Sequence, residues 1–337
     1  MNCDSLMSTN PTENSTYQKR TKPTRTHLFR KIWGSLEKAE RPDVLGWMCW
    51  DKIRINPDYA PILKAAGLDT MAGVYQTQLG EIISQDGKKE KNDVLRIELE
   101  DEGRTRVFYL KRYWNREWSK IWKRAPRGAL LGPSIVKAEF EKMERLGEYG
   151  IRIPGLVAFG NQRFCGGVIN SFIMTEEIPK AMGVDFVVGA WMEQQPKELH
   201  EIHREALLAE VARCLKIMHA HGFEHHDLFL RNMMISGQDM TALYILDCPR
   251  AYIWPWFIMR FRRVHDLATL DAAASELLRP TQRMRFMHLY LGRNQLTDED
   301  KQLVRKVLKR ADPMRARQVA RLDRSIPVDE DGNILNT

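Results

Sequence analysis

Polar and apolar positions alternate with the period of a β-strand in the second quarter of the chain. Residues 94–99 and 107–111 both show this alternation, and residues 172–174 form a shorter run of strand formers. The polar segment 85–93, which contains a glycine, predicts a turn before the first of these strands. Together these elements predict a β-rich small lobe that extends from residue 73 to residue 178.

The pattern changes to a helical period at residues 134–149 and again at about residues 198–221. Gly150 and Gly222 follow these two segments and predict where the helices end. More helix is predicted from about residue 264 onward. Because strands come first and helices come later, the sequence predicts an α+β fold with a β-rich lobe joined to a mainly helical lobe.

The two ends of the chain differ in composition from its middle. Residues 1–26 are polar and basic, contain little apolar surface, and are predicted to form a disordered tail. Residues 27–72 combine helical patches with three tryptophans and are predicted to form a helical extension that packs onto the main body. The helical large lobe is then assigned to residues 179–320, and residues 321–337 are assigned to a C-terminal tail.

Composition and charge limit the class of protein. The 337 residues include five scattered cysteines without a C-x-x-C pair, which argues against a disulfide framework or a zinc site and suits a reducing cytosol. No apolar run approaches the roughly 18 residues of a membrane span, and no signal peptide is indicated. The formal net charge of +8 favours an anionic partner: a phosphate-rich substrate, a membrane surface or nucleic acid.

Three polar residues have the order and spacing that phosphoryl transfer requires. Asn232 lies five residues after Asp227, and Asp247 lies fifteen residues further on, at the end of a run of strand formers. Transfer needs one carboxylate to accept the proton of the acceptor hydroxyl. It also needs an amide oxygen and a second carboxylate that hold Mg²⁺ on the nucleotide phosphates. The sequence therefore predicts a kinase with a bilobal, protein-kinase-like α+β fold.

One acidic residue, Glu139, lies in the middle of the apolar face of the helix predicted at residues 134–149. A carboxylate that faces a protein core is costly unless it is paired. Lys111 is embedded in the apolar strand predicted at residues 107–113 and is the natural partner. Kinase folds use such a pair to hold the lysine against the α- and β-phosphates. We therefore predict a Lys111–Glu139 ion pair, with a Glu139 that reaches water at a helix edge as the alternative.

Several short segments resemble the bacterial lipopolysaccharide inner-core kinases, a family that phosphorylates heptose or Kdo sugars of the lipid A core and shares the protein-kinase fold. The matching segments are residues 109–112, 138–154, 171–177, 225–232, 247–251 and 266–268. The linker between the lysine and the glutamate, the Asp-x-x-Arg-Ala segment and the Asp-Leu-Ala segment are similar to this branch in particular. The other matching segments are typical of kinase-like folds in general.

The resemblance implies roles for individual residues. Asp227 would be the catalytic base, and Asn232 and Asp247 would be the ligands of Mg²⁺. Lys111, held by Glu139, would bind the α- and β-phosphates of ATP. Two further implied features are an adenine contact through the backbone of Glu176, Glu177 and Ile178, and a structural brace of the catalytic loop by Asp266.

Two basic segments and a group of histidines have more than one interpretation. Residues 111–127 combine seven basic residues with one acid and three tryptophans at helical spacing, and residues 254–263 combine aromatic residues with three arginines. Both segments suit an anionic membrane surface, and both also suit tryptophans packed on the core beneath solvated basic side chains. Histidines cluster at residues 219–226, but two lie at a helix end and two adjoin Asp227, so a transition-metal site is disfavoured.

The sequence therefore predicts an ATP- and Mg²⁺-dependent kinase that phosphorylates a heptose or Kdo hydroxyl of a lipid A-linked core oligosaccharide. We expect a cytoplasmic protein bound peripherally at the inner face of the cytoplasmic membrane. Two alternatives stay open: a protein or small-molecule kinase of the same fold, and a pseudokinase that binds nucleotide or lipid without turnover. Nucleic-acid binding is disfavoured because no segment resembles a recognition fold. The sequence does not indicate an oligomeric state.

Overall fold

The computed structural model describes residues 49–85, 92–114, 134–164, 167–193, 197–237 and 239–325. These residues belong to one compact unit, which begins at Met48. The predicted N-terminal tail, most of the predicted C-terminal tail, and residues 115–127 of the first basic segment lie outside the described residues. Within the described part, no helix has the length and apolar character that a membrane crossing requires.

The small lobe is built on one antiparallel sheet of six strands, in the order β1-β5-β6-β4-β3-β2. The strands are β1 (Cys49–Ile55), β2 (Glu81–Gln85), β3 (Asn92–Asp101), β4 (Arg104–Trp114), β5 (Leu156–Phe164) and β6 (Gly167–Glu176). Its helices are α1 (Ala60–Ala65), α2 (Met71–Gln76) and α3 (Ile135–Glu148). The strands predicted at residues 94–99, 107–111 and 172–174 are confirmed within β3, β4 and β6.

Successive side chains of β4 point in alternate directions and pack against two different clusters of buried apolar residues. Phe108 and Leu110 are fully buried in a cluster with residues of α1 and α2. Tyr113 packs instead against the cluster that contains the apolar residues of α3. Since successive side chains of a strand point to opposite faces, Lys111 lies on the same face as Tyr113. This register directs Lys111 toward the large lobe rather than into the small-lobe core.

Residues 27–72 were predicted to be a helical extension, but their described part also contains a strand. Strand β1 pairs with β5 at the edge of the sheet, with Ile53 opposite Gly160. Helices α1 and α2 follow, and their Leu63 and Val74 are fully buried in the small-lobe core. Most side chains of β1 are exposed, because it is an edge strand. Its sequence therefore lacks the alternation that would have predicted a strand.

Helix α3 has the boundaries and the buried face that its sequence predicted. The side chain of Ser134 accepts a hydrogen bond from the backbone N–H of Lys137 at 3.2 Å and caps the first turn. Gly150 has a φ of 74°, a left-handed conformation that suits glycine and ends the helix. The buried residues of α3 are Val136, Glu139, Phe140, Met143 and Leu146.

The large lobe is mainly helical. Its helices are α4 (Val184–Glu193), α5 (Lys197–Ala220), α6 (Trp256–Ala274), α7 (Pro280–Leu291) and α8 (Asp298–Ser325). Strands β7 (Ala181–Gly183), β9 (Met233–Ser236) and β10 (Asp239–Ile245) form a small sheet, and β8 (Phe223–Glu224) pairs with β11 (Tyr252–Ile253). The helix predicted at residues 198–221 is confirmed as α5. Helix α6 begins earlier than predicted, because exposed aromatic residues in its first turns mask the helical period.

A buried ion pair joins β3 to β4 on the face covered by α2. Nε and Nη2 of Arg112 lie 2.9 and 2.6 Å from the two carboxylate oxygens of Asp93, and Nη1 donates to the carbonyl of Val74 at 3.1 Å. Arg112 is 7% exposed and Asp93 is 5% exposed. Such a pair is costly to break on one side, since the remaining charge stays buried without a partner.

We expect Arg112→Met to lower the free energy of unfolding by about 3–5 kcal/mol. The double variant Asp93→Leu/Arg112→Met should recover most of this loss, because neither charge then remains. Arg54→Met is the matched control: Arg54 pairs with Glu144 at 2.7 Å but is half-exposed, so its loss should cost less than about 1 kcal/mol. Urea unfolding measures all three, and equal losses for Arg112→Met and Arg54→Met would contradict the expectation.

Candidate active site

The loop between β8 and β9 is anchored by one buried carboxylate. Asp266 on α6 has no exposed surface, and its two oxygens accept the backbone N–H groups of His225 and His226, each at 2.8 Å. Nε2 of His219 lies 3.4 Å from the same carboxylate. Burial by itself would raise the pKa of Asp266, but the hydrogen bond with His219 and the nearby imidazole of His265 outweigh it and hold that pKa well below its usual range. The implied role of Asp266 as a brace is confirmed.

The loop places Asp227 and Asn232 beside the end of β10. Nδ2 of Asn232 donates to the carbonyl of Asp227 at 2.9 Å, and the backbone N–H of Leu246 donates to the carbonyl of Asn232 at 2.9 Å. Asp247 follows directly with a φ of 45°, and His226 has a φ of 71°. A left-handed backbone is uncommon outside glycine and concentrates at functional sites. The three residues found by their spacing therefore lie in one region.

Arg250 is a site residue that the spacing argument missed. Its Nη1 lies 3.2 Å from Oδ1 of Asp227, and its Nη2 lies 3.3 Å from Nε2 of His226. The side chain of Arg250 is 58% exposed, whereas that of Asp227 is 22% exposed. Arg250 belongs to the Asp-x-x-Arg-Ala segment that begins at Asp247, so the sequence marked the residue. Nothing in the sequence indicated its partner.

Lys111 does not form the ion pair that the sequence predicted. Its Nζ lies 3.6 Å from Oδ1 of Asp247, and no ion pair within the described residues joins it to Glu139. The reason is the free energy of desolvation. A charged carboxylate costs little at the half-exposed Asp247 and much at the buried Glu139, so Lys111 lies beside Asp247. Burial by itself would lower the pKa of Lys111, but Tyr113, Asp247 and Glu139 reverse the shift and raise it, so the ammonium stays charged.

Glu139 faces the interior, as its place on the apolar face of α3 predicted. It is 2% exposed, and its Oε2 is buried without a hydrogen-bond partner. Burial raises the pKa of Glu139 from the usual 4.5 to about 7, with Lys111 acting against the shift and Asp247 adding to it. A buried oxygen without a donor is costly and is characteristic of a site that needs a further partner.

The segment predicted to contact adenine lies at the end of β6. The N–H of Glu176 donates to the carbonyl of Gly155 at 2.8 Å, and the N–H of Glu177 donates to that of Val107 at 2.9 Å. The carboxylate of Glu176 accepts hydrogen bonds from Tyr59 and Arg106, and that of Glu177 accepts one from Tyr109. The backbone N–H groups of Glu176 and Glu177, in the segment predicted to contact adenine, are therefore already used within the protein. Among the described residues, the N–H of Ile178 has no such acceptor.

Three potential metal ligands lie behind the loop, although the sequence disfavoured a metal site there. Ligand atoms of Glu224, His226 and His265 lie within 4.8 Å of one another. The two imidazole rings, however, stack with their centroids 4.3 Å apart. The carboxylate of Glu224 already accepts hydrogen bonds from Trp254 at 2.6 Å and from Arg262 at 2.9 and 3.0 Å. A cation would have to displace Arg262, so this group is better suited to positioning His226.

The groups at the end of the loop suit a nucleotide with Mg²⁺. Asn232 uses its amide nitrogen for a bond to the Asp227 carbonyl, so its amide oxygen remains for a cation. Asp247 adds a half-exposed carboxylate oxygen, and Mg²⁺ prefers oxygen ligands. Lys111 lies beside that carboxylate and provides the positive charge that phosphate oxygens require. The residues present therefore fit the cofactor set that the sequence predicted.

This arrangement defines a class of protein. A loop that carries a carboxylate and an amide, a strand lysine and a strand-end carboxylate together form the catalytic set of protein-kinase-like phosphotransferases. The profile of the Lipopolysaccharide kinase (Kdo/WaaP) family matches residues 89–306, which is more than half of the chain. The chain belongs to this family, and the family resemblance predicted from the sequence is confirmed. Membership in a kinase family makes it a phosphotransferase.

Two relatives show how far the likeness extends. The Lipopolysaccharide core heptose(I) kinase WaaP of Pseudomonas aeruginosa is 27% identical over 207 residues, which cover 59% of this chain and 73% of the relative. A solved structure of WaaP in complex with acyl carrier protein has a TM-score of 0.54 and 22% sequence identity, and covers 78% of this chain and 98% of that chain. The structural likeness confirms the protein-kinase-like fold.

We expect Glu139 to make the protein less stable as the pH rises. Its pKa is raised to about 7 in the folded state, so its stabilising contribution is complete below about pH 4.5 and is lost as the pH rises through 7. Glu139→Gln should remove this pH dependence, which amounts to about 3 kcal/mol. Unfolding by urea between about pH 5 and pH 8 measures the effect.

The matched control is Glu141→Gln, which changes an exposed carboxylate on the same helix. This variant should keep the pH dependence of the wild-type protein. The assignment of the raised pKa to Glu139 would be wrong if Glu139→Gln and the wild-type protein lost stability equally over this range.

Proposed function

We propose that this protein is an ATP-dependent kinase that phosphorylates a heptose or Kdo hydroxyl of a lipid A-linked core oligosaccharide. The observation that carries the proposal is the cluster of Asp227 and Asn232, on a loop that Asp266 braces, with Asp247 beyond the end of β10. The family supports the substrate class, and the related Pseudomonas aeruginosa protein is by its name a heptose(I) kinase of the lipopolysaccharide core. A pseudokinase is disfavoured because every residue needed for transfer is retained.

Asp227 acts on the acceptor side of the reaction. Its carboxylate orients the sugar hydroxyl and accepts its proton while the sugar oxygen bonds to the γ-phosphorus of ATP. The bond from that phosphorus to the β-phosphate oxygen breaks, and ADP leaves. Arg250 contacts the same carboxylate, so the acceptor hydroxyl must share or displace the guanidinium. This costs little because the arginine is largely exposed.

Lys111 acts on the nucleotide side by exchanging Asp247 for the α- and β-phosphates of ATP. Asn232 and Asp247 would hold Mg²⁺, which would supply positive charge against the phosphates of the nucleotide. Glu139, with its unpartnered oxygen, then becomes the partner that orients Lys111. The N–H of Ile178 donates to adenine, since the N–H groups of the two preceding residues, Glu176 and Glu177, are bonded within the protein.

We expect Asp227→Ala to abolish phosphoryl transfer while leaving Mg²⁺-ATP binding nearly unchanged, because Asp227 acts only on the acceptor. The assay is incubation with Mg²⁺-ATP and dephosphorylated lipopolysaccharide core, followed by mass spectrometry of the core. Loss of a general base should lower the rate at least about 100-fold. Glu276→Ala removes an acidic residue that no contact ties to the site, and it should leave transfer unchanged.

Two outcomes would count against the proposal. Wild-type turnover by Asp227→Ala would mean that the catalytic loop is misassigned. A wild-type protein that binds Mg²⁺-ATP but phosphorylates no core sugar would favour the pseudokinase or a kinase with a different acceptor.

The proposed acceptor is attached to a lipid, so we place the protein at the inner face of the cytoplasmic membrane as a peripheral protein. The start of α6 supports this location. Trp256, Phe257 and Phe261 are 76%, 52% and 59% exposed, and Phe261 lies between Arg260 and Arg262. Aromatic side chains next to basic ones are typical of segments that bind an anionic bilayer surface.

An apolar cavity in the large lobe supports a second partner. It has a volume of about 430 Å³ and lies among α4, α5, α6, α7 and α8, and most of the side chains that line it are apolar, with Arg204, Asp271 and Arg283 as the charged ones. Met284 and Leu308 line it and are more than a third exposed, so they mark its mouth. Since a related WaaP was solved in complex with acyl carrier protein, we propose that this cavity accepts the acyl chain of such a carrier.

We expect an acylated carrier protein to stabilise this kinase and the same carrier without its acyl chain to leave it unchanged. The free energy of unfolding should rise by about 2.7 kcal/mol when the concentration of the acylated carrier is about a hundred times its Kd. A thermal-shift series measures this rise. Met284→Lys should remove the gain by placing a charge at the mouth of the cavity. Leu79→Lys changes a similarly exposed side chain of the small lobe and should keep it. Equal shifts with both forms of the carrier would exclude this use of the cavity.

A further inference from the structure

A second cavity in the large lobe is lined by basic side chains. Its volume is about 340 Å³, and it lies between the end of α5, the first half of α6 and the end of α7. Lys216 comes from α5, Arg260 and Arg263 come from α6, and Arg293 follows α7. None of the described residues that line the cavity is acidic. Four cationic side chains around one cavity give it a strongly positive potential.

Most of this positive charge is not neutralised by the described part of the chain. Arg293 meets the carboxylate of Asp300 at 3.2 Å, and Arg263 interacts with the same carboxylate at longer range, whereas Lys216 and Arg260 form no ion pair within the described residues. Arg263 is half-buried, lies against the buried hydroxyl of Tyr290, and has an Nε without a hydrogen-bond partner. Arg263 and Lys216 line the cavity and no acidic residue among those described does, so the cavity is suited to an anion.

The outer part of the cavity carries one large aromatic side chain, and two more lie on the same helix outside the residues that line it. Trp256 lines the cavity and is 76% exposed, and Phe257 and Phe261 of the same helix are more than half exposed. A small soluble anion gains nothing from such a rim. A lipid phosphate does, because aromatic rings enter the interfacial region of the bilayer beside the headgroup. The basic part of the cavity therefore matches the phosphate of a phospholipid, and the exposed aromatic part matches the interfacial region beside it.

We propose that this cavity binds the phosphate group of an anionic lipid in the membrane to which the kinase docks. Arg263 and Lys216 contact the phosphate, and Trp256 inserts beside it. The inference rests on the proposed action at a membrane surface, and it adds a binding site separate from the ATP site. His219 lines the cavity and contacts Asp266, so the lipid site lies behind the brace of the catalytic loop.

The test is co-sedimentation of the full-length protein with vesicles. The vesicles contain phosphatidylcholine alone or with phosphatidic acid, which exposes a phosphate monoester. We expect binding only to the second kind, and about five-fold weaker binding for each of Lys216→Gln and Arg263→Gln, which corresponds to about 1 kcal/mol per side chain. Lys309→Gln makes the same change on α8, away from the cavity, and should bind as the wild-type protein does.

A transfer assay distinguishes the lipid site from the catalytic site. Transfer of phosphate to a soluble core-sugar fragment should be unchanged in Lys216→Gln and Arg263→Gln, because neither residue contacts the catalytic loop. If the wild-type protein transfers no phosphate, the proposed function fails, whereas the vesicle result still decides whether the lipid site exists. Lys216 is exposed, so its variant tests the site even if Arg263→Gln unfolds.

The proposal is overturned if Lys216→Gln and Arg263→Gln bind phosphatidic acid vesicles as tightly as Lys309→Gln does. It is also overturned if inorganic phosphate raises the Tm of the wild-type protein, the rise is lost in both variants, and vesicle binding stays the same. The cavity would then bind a soluble anion. Equal binding to both kinds of vesicle would also overturn the proposal, because the aromatic side chains would then account for the binding without the anionic lipid.

Discussion

The carboxylate of Asp266 is the constraint on which the arrangement of the active site depends. It accepts the N–H groups of two successive residues, which is compatible with the left-handed conformation of His226. That conformation sets the direction in which the backbone continues from His226 to Asp227. Because the carboxylate is fully buried on α6, its hydrogen bonds do not compete with water, and each is stronger than it would be at the surface. The loop therefore takes its position from the large lobe.

Most charged side chains of the candidate active site are paired with one another. Asp227 pairs with Arg250, and Asp247 pairs with Lys111. Arg250 and Asp247 are more than half exposed, so these pairs are weak and can exchange partners at low cost. Glu139 is the exception, since it is buried and lacks a partner for one oxygen. A site built in this way keeps its charges ready for anionic ligands without holding them in strong internal ion pairs.

Helix α6 connects the parts of the large lobe to which we assign functions. Its first half contributes Arg260 and Arg263 to the basic cavity, and its second half contributes Leu267 and Leu270 to the apolar cavity. Asp266 lies between these two halves and holds the loop between β8 and β9. One helix thus contacts a polar surface site, the buried brace and an apolar interior. This accounts for its mixed sequence, in which apolar and basic residues show no simple helical period.

The sequence by itself determined the elements and residues that depend on local spacing. Asp227 and Asn232 lie on one short loop, and Glu139 lies on the buried face of α3, because helix and loop geometry relate neighbouring positions directly. Only the tertiary structure decided which charges meet. Lys111 pairs with Asp247 rather than with Glu139, and Arg250 with Asp227, because such pairing depends on the cost of desolvating each group in the folded protein. No periodic pattern in a sequence records that cost.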